Sequence, residues 1–132
     1  MDMCIFCKIV NKEIPAKIIY EDDEIMAFLD INPRNEGHTL VIPKKHYDNL
    51  LEAPDNTLAE MMRVAKLLCQ RMKNKLNAKG FNIVINVEKV AGQEINHLHL
   101  HIVPRYAEDG EVISFGEVKE VELNGVYEKL KT

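Results

Sequence analysis

Leu58, Met61, Met62, Ala65, Leu68, Cys69, Met72 and Leu76 recur at steps of three and four residues, the period that gathers apolar side chains on one face of a helix. The spacing predicts a helix over 57–76, with Thr57-x-x-Glu60 as a capping box at its start and Gly80 just past its end. Elsewhere the pattern is that of strands. Residues 17–20 and 25–29 are short apolar runs joined by the acidic Glu21-Asp22-Asp23, which predicts a hairpin. Residues 38–43 are rich in β-branched side chains and end at Pro43; residues 81–87 and 97–104 give two further strands, separated by a loop holding Ala91-Gly92-Gln93. One or two helical turns over 5–11 precede Pro15. The order β-β-β-α-β-β predicts an α+β fold, an antiparallel sheet of about five strands with one long helix packed on it and a short N-terminal helix.

At 132 residues, with no repeat and no Gly/Ser/Pro linker, the chain reads as one domain, 1–132, with a core at 1–106. The tail, 107–132, is charged, and its weak apolar spacing at Val118, Val121, Leu123, Val126 and Leu130 fits a partly helical or extended segment packed on the surface. A hydrophobic content of 46% with 29% charged residues supports a core and argues against disorder. The longest apolar run, 25–29, is far short of a membrane span, and no basic stretch leads into an apolar one at the N-terminus, so a cytoplasmic protein without a membrane partner is expected. The net charge of −4 disfavours nucleic acid. Three cysteines, two of them in Cys4-x-x-Cys7, suit metal or redox chemistry in a reducing compartment better than a disulfide scaffold.

The chemistry concentrates in His97-Leu98-His99-Leu100-His101, three of the chain's five histidines within five residues. On a strand the three imidazoles point one way and the leucines the other, so the leucines face the core and the imidazoles a cleft. Two chemistries use such a row. Alternating histidines ligate a metal that generates hydroxide, or the central imidazole is the nucleophile, its second nitrogen held protonated by a backbone carbonyl. Spacing alone does not separate them. Asn86 and Gly92-Gln93, just upstream, tilt the balance to phosphate, because glycine lets backbone N–H groups approach phosphate oxygens. Asp30 is an acceptor for ribose hydroxyls or a turn residue, and Arg34, Lys44, Lys45 and Arg105 are candidates for a basic rim. Cys4, Cys7, His46 and His97 offer the four N/S ligands of a closed tetrahedral zinc site, one per chain and structural in role, against a reading of the two cysteines as a redox pair or as buried small side chains. Cys69, on the apolar face of the helix, reads as core.

The histidine row resembles the His-φ-His-φ-His-φ-φ signature of the histidine triad proteins. Phe6-Cys7-Lys8-Ile9, Ala27-Phe28-Leu29-Asp30-Ile31-Asn32-Pro33, Gly37-His38-Thr39-Leu40-Val41-Ile42-Pro43-Lys44-Lys45-His46 and Ala91-Gly92-Gln93 extend the likeness in the same order over about residues 4–106. The resemblance implies a nucleotide-binding hydrolase acting at the α-phosphate of purine nucleotide conjugates, of nucleoside phosphoramidate type. It makes His99 the nucleophile that forms a nucleotidyl-histidine intermediate, and His101 the group that contacts phosphate and assists the leaving group. It sets Asp30 and Ile31 around ribose and base, Asn86, Gly92 and Gln93 at the phosphates, and His38 behind the triad. It also implies the zinc set of the prokaryotic members and a homodimer formed through the long helix and an adjacent strand. A dinucleoside polyphosphate hydrolase, or a nucleotide-binding interaction protein with vestigial catalysis, is the alternative.

Overall fold

The computed structural model describes residues 4–110 and 112–132. Five strands, β1 (Ile18–Glu21), β2 (Ile25–Leu29), β3 (Thr39–Pro43), β4 (Gly80–Val84) and β5 (Leu100–Arg105), form one sheet in the order β1-β2-β3-β5-β4. Every neighbouring pair is antiparallel. The β1–β2 hairpin turns on Asp22, whose carboxylate accepts from the N–H groups of Glu24 and Ile25.

The sheet is buried on both faces, so its central strands read as continuous apolar runs instead of alternating ones. Ile25, Ala27, Val41, Leu100 and Ile102 pack against Met61, Val64, Ala65, Leu68 and Met72 of α2 (Asp55–Leu76). On the opposite face Met26, Phe28, Leu40 and Ile42 pack against Phe6 and Ile9 of α1 (Ile5–Val10). His101 lies between Leu100 and Ile102 on β5, so alternation turns it to the α1 face.

Several boundaries differ from the sequence reading. α2 begins two residues early, with Pro54 as its N-cap. The capping box does not form: the Thr57 hydroxyl donates to the Glu24 carboxylate, and Glu60 pairs with Arg63. The helix ends on Asn77 in the left-handed region, which leaves Gly80 to open β4. Met62 is 49% exposed, off the packed face, while Cys69 sits half-buried at the core margin. β5 starts at Leu100, because the Leu98 N–H turns to the carbonyl of Tyr47. In the tail, α3 (Leu123–Leu130) buries none of its residues, so it is helical but not packed on the surface. No helix among the described residues is long and apolar enough to cross a membrane.

Candidate active site and metal centre

His101 on β5 faces α1, while His97 and His99 precede the strand, and the three do not share one cleft. His99 and His101 line a cavity of about 320 Å³, whereas His97 is fully buried beside the cysteines. Phe6 stands between, its ring edge-on to His99 at 5.2 Å and to His97 at 5.8 Å. The cavity has an apolar wall that includes Ile5, Phe6, Ile9, Ile14, Phe28 and Leu40. Its polar groups are Asp30, Asn32, Arg34, His38, Glu94, His99 and His101, with Ile31 at the rim, 86% exposed.

Hydrogen bonds set the tautomers of His99, His38 and His101, the first two through the main chain. His99 Nδ1 lies 2.7 Å from the carbonyl oxygen of His97. A carbonyl only accepts, so Nδ1 carries the proton and Nε2 keeps its lone pair. The N–H of Arg34 donates to His38 Nδ1 at 2.9 Å, so the proton of neutral His38 is on Nε2. That Nε2 is 3.0 Å from His101 Nδ1 and donates to it, which places the proton of His101 on its own Nε2. The result is one imidazole with a free lone pair beside one with a free N–H, rings 5.0 Å apart. This is the arrangement a nucleophile and its acid partner need.

Burial keeps these rings neutral. It pushes His101 down to about 4, with His99, His38 and Arg34 acting the same way against Asp30. Burial also lowers His99, opposed by its bond to His97 and by the charges of Asp30 and Glu94. His38 is lowered by burial, against Asp30 and with help from Arg34 and Arg105.

Asp30, His38 and His101 bring three ligand atoms within 4.8 Å of one another, a spacing a metal ion could use. The hydrogen-bond chain speaks against it. Ligation by His38 Nε2 would move that ring's proton to Nδ1, head-on to the N–H of Arg34. A proton, not a cation, holds this group together.

Cys4, Cys7, His46 and His97 differ. The Nδ1 atoms of His97 and His46 lie 3.2–3.6 Å from the two thiols. A tetrahedral zinc with ordinary Zn–S and Zn–N bonds sets its sulfur and nitrogen ligands about 3.6 Å apart. Both rings present a lone pair to the thiols, since His97 Nε2 donates to the carbonyl of Pro43 at 2.8 Å and His46 Nε2 to Asp48 at 2.7 Å. Such outer partners orient metal-ligating histidines. Burial, foremost, and the neighbouring Cys4 push the Cys7 thiol up to about 11; burial holds His97 down at about 4. A bound cation would override the first by stabilising thiolate, and the second already favours the neutral ligand. The four residues fit a metal ion.

Of the other sequence candidates, Asn86, Gly92 and Gln93 lie outside the cavity lining. Gln93 is buried and braces its loop, donating to the carbonyls of Asp48 and Ile95 and accepting from the N–H of Glu88. Asn86 donates weakly to the Gly92 carbonyl at 3.5 Å. The basic rim does not assemble: Lys44 pairs with Glu21, Lys45 sits over the ring of Tyr47, Arg105 binds Asn82, and only Arg34 reaches the cavity. Sequence reasoning missed Glu94 as a lining residue and Asp48 as the support of His46. Glu94 had a signal in its position next to Gln93, whereas nothing local marks Asp48.

Residues 11–108 match the model of the HIT domain. An uncharacterized HIT-like protein of Methanocaldococcus jannaschii is 57% identical over 129 residues, 98% of this chain and 99% of that one. A Saccharomyces cerevisiae protein named adenosine 5'-monophosphoramidase is 42% identical over 83% of this chain and 67% of its own length. The crystal structure of a Zn-bound histidine triad family protein from Mycobacterium smegmatis superposes with a TM-score of 0.79 at 42% identity, covering 93% of this chain and 88% of that one. With a family model matched over most of its length and the triad set on the matching fold, the chain belongs to the HIT-domain family.

Proposed function

We propose that this protein hydrolyses purine nucleotide conjugates at the α-phosphate, of the nucleoside phosphoramidate type, through a nucleotidyl-His99 intermediate. The observation that carries the reading is the 2.7 Å bond from His99 Nδ1–H to the His97 carbonyl, which leaves Nε2 nucleophilic. Nε2 forms a bond to the α-phosphorus as the phosphorus–nitrogen bond of the conjugate breaks. The departing nitrogen accepts a hydrogen bond from His101 Nε2–H, takes its proton from a water and leaves as the free amine. The same carbonyl then stabilises the positive charge on phosphorylated His99. The hydroxide left by that water bonds to phosphorus, the electron pair returns to His99 Nε2, and the nucleoside monophosphate is released. His38 positions His101 in the tautomer that donates.

Asp30 and Ile31 would hold ribose and base against the apolar wall, and Asn86, Gly92 and Gln93 would approach the phosphates from beyond the cavity lining. Cys4, Cys7, His46 and His97 would hold a structural zinc, a reading supported by the donor set and by the Zn-bound relative. With a metal bound, these residues would tie α1 to the segment that bears His97 and His99 and leads into β5. A homodimer through α2 and the β4 edge is in keeping with the exposed Met62 and Ile83 on those elements. The yeast relative's name supports the substrate class.

The test is turnover of adenosine phosphoramidate beside diadenosine polyphosphates, with rapid-quench capture of an acid-labile adduct. His99→Ala abolishes turnover and adduct while nucleotide affinity stays within about tenfold, because little binding surface is lost. Turnover by His99→Ala equal to that of the unmodified protein refutes the assignment.

A further inference from the structure

Glu94 is the one carboxylate lining the cavity that has no part in the proposed reaction. Its neighbours hold it in place: Gln93 is clamped by its bonds to Asp48, Glu88 and Ile95, and Ile95 is itself part of the cavity wall. Glu94 has no hydrogen-bond or ion-pair partner among the described residues. Asp30, the other carboxylate, is engaged, accepting from the Asn32 N–H and facing His38 at 3.5 Å. With the imidazoles neutral, the charged groups facing the cavity are Asp30 and Glu94 against Arg34, a net charge of −1 in a site that receives a phosphate.

An uncompensated carboxylate beside a nucleophile for phosphorus does not serve affinity for an anion. It discriminates between substrates by their charge. We propose that Glu94 selects the leaving group, disfavouring conjugates whose departing part is anionic and favouring those that leave as an uncharged or cationic amine. The inference rests on the α-phosphate reading and adds to it which side of the phosphorus–nitrogen or phosphorus–oxygen choice this chain prefers. Glu94 is exposed, lines the same cavity as His99, and its charge acts on that ring. The bond changes are those given above, and Glu94 takes no proton in them.

The experiment uses three conjugates of AMP, with ammonia, glycine and sulfate as departing groups, on the unmodified protein, Glu94→Gln and Glu94→Lys. The ratio of kcat/KM for the glycine or sulfate conjugate to that for the ammonia conjugate is expected to rise about three- to tenfold in Glu94→Gln and further in Glu94→Lys. The gain should shrink in 0.5 M salt, as a charge effect must. The glycine conjugate separates charge from bond type, since it leaves as an amine that carries a carboxylate. Ratios that do not move in either variant overturn the proposal while the hydrolase reading stands. If the unmodified protein turns over none of the three, that reading fails instead. Calorimetric affinities for the intact glycine and ammonia conjugates then decide on Glu94 by the same ratio, and an unchanged ratio again overturns it.

Discussion

Acidification should disable the site before it unfolds the domain. Burial, together with the neighbouring His99 and His38, brings His101 from an ordinary 6.5 down to about 4. A shift of that size makes protonation about 3 kcal/mol harder than in an exposed histidine. His99 and His38 move the same way. Loss of the lone pair on His99 therefore sets an acid limb on kcat/KM below the ordinary 6.5 of histidine, as the cluster takes up its first proton. Bound phosphate favours an imidazolium, so the limb on kcat should lie at higher pH. Stability follows the same groups. A histidine whose folded pKa is lowered contributes nothing adverse above 6.5. As the pH falls from 6.5 towards 4, the unfolded chain takes up a proton that the folded chain refuses, and stability declines. At pH 5 His101 alone costs about 2 kcal/mol by this route, a fraction of the 5–15 kcal/mol typical of a domain. His97 is left out of the sum, since a metal on its Nδ1 would govern its titration. Urea titrations at pH 7, 6 and 5 beside pH–rate profiles measure both effects. An acid limb at pH 7 without a histidine adduct, or stability unchanged between pH 7 and 5, refutes the reasoning.

Protein never exposed to chelator should carry about one zinc per chain, and chelation should lower its Tm; metal analysis without zinc refutes the centre. Asp48→Ala, which removes the acceptor for His46 Nε2–H, should weaken metal affinity about 10–100-fold, read by competition with a chromophoric chelator. Gly37→Ala should cost about 2–3 kcal/mol in urea denaturation. Gly37 has φ +91°, and a Cβ there would lie 2.9 Å from Leu76 Cδ1 and 3.0 Å from Pro104 Cγ. An unchanged midpoint would show that the loop before His38 relaxes freely.

The apolar period of α2 and the runs of β2 and β3 were legible because burial demands them wherever the element ends. The ends were not, since they hang on competing local bonds. Thr57 and Glu60 spell a capping box, yet Pro54 already has the extended backbone of an N-cap, and the Thr57 hydroxyl finds Glu24, distant in sequence. The histidine row announced a site by its density, and the ligand count linked Cys4 and Cys7 to His46 and His97. What sequence could not show is how His97 parts from its neighbours, a division made by Phe6 and by the turn of Leu98 to Tyr47. Glu94 escaped notice for a related reason: a lone charge in a loop acquires meaning only from the cavity that other segments complete.

The tautomers of His97, His99 and His38 are each fixed by a main-chain group, the carbonyls of Pro43 and His97 and the N–H of Arg34. Every residue type has a carbonyl, so substitution at position 97 can erase a metal ligand without erasing the acceptor that readies His99. The two functions of that residue are thus separable in evolution, and a descendant could lose its cysteines and keep its chemistry. The site is guarded against changes of side chain and open to changes of spacing. A one-residue deletion between Asn32 and Gly37, far from the row, would displace the N–H that orders His38 and, through it, His101.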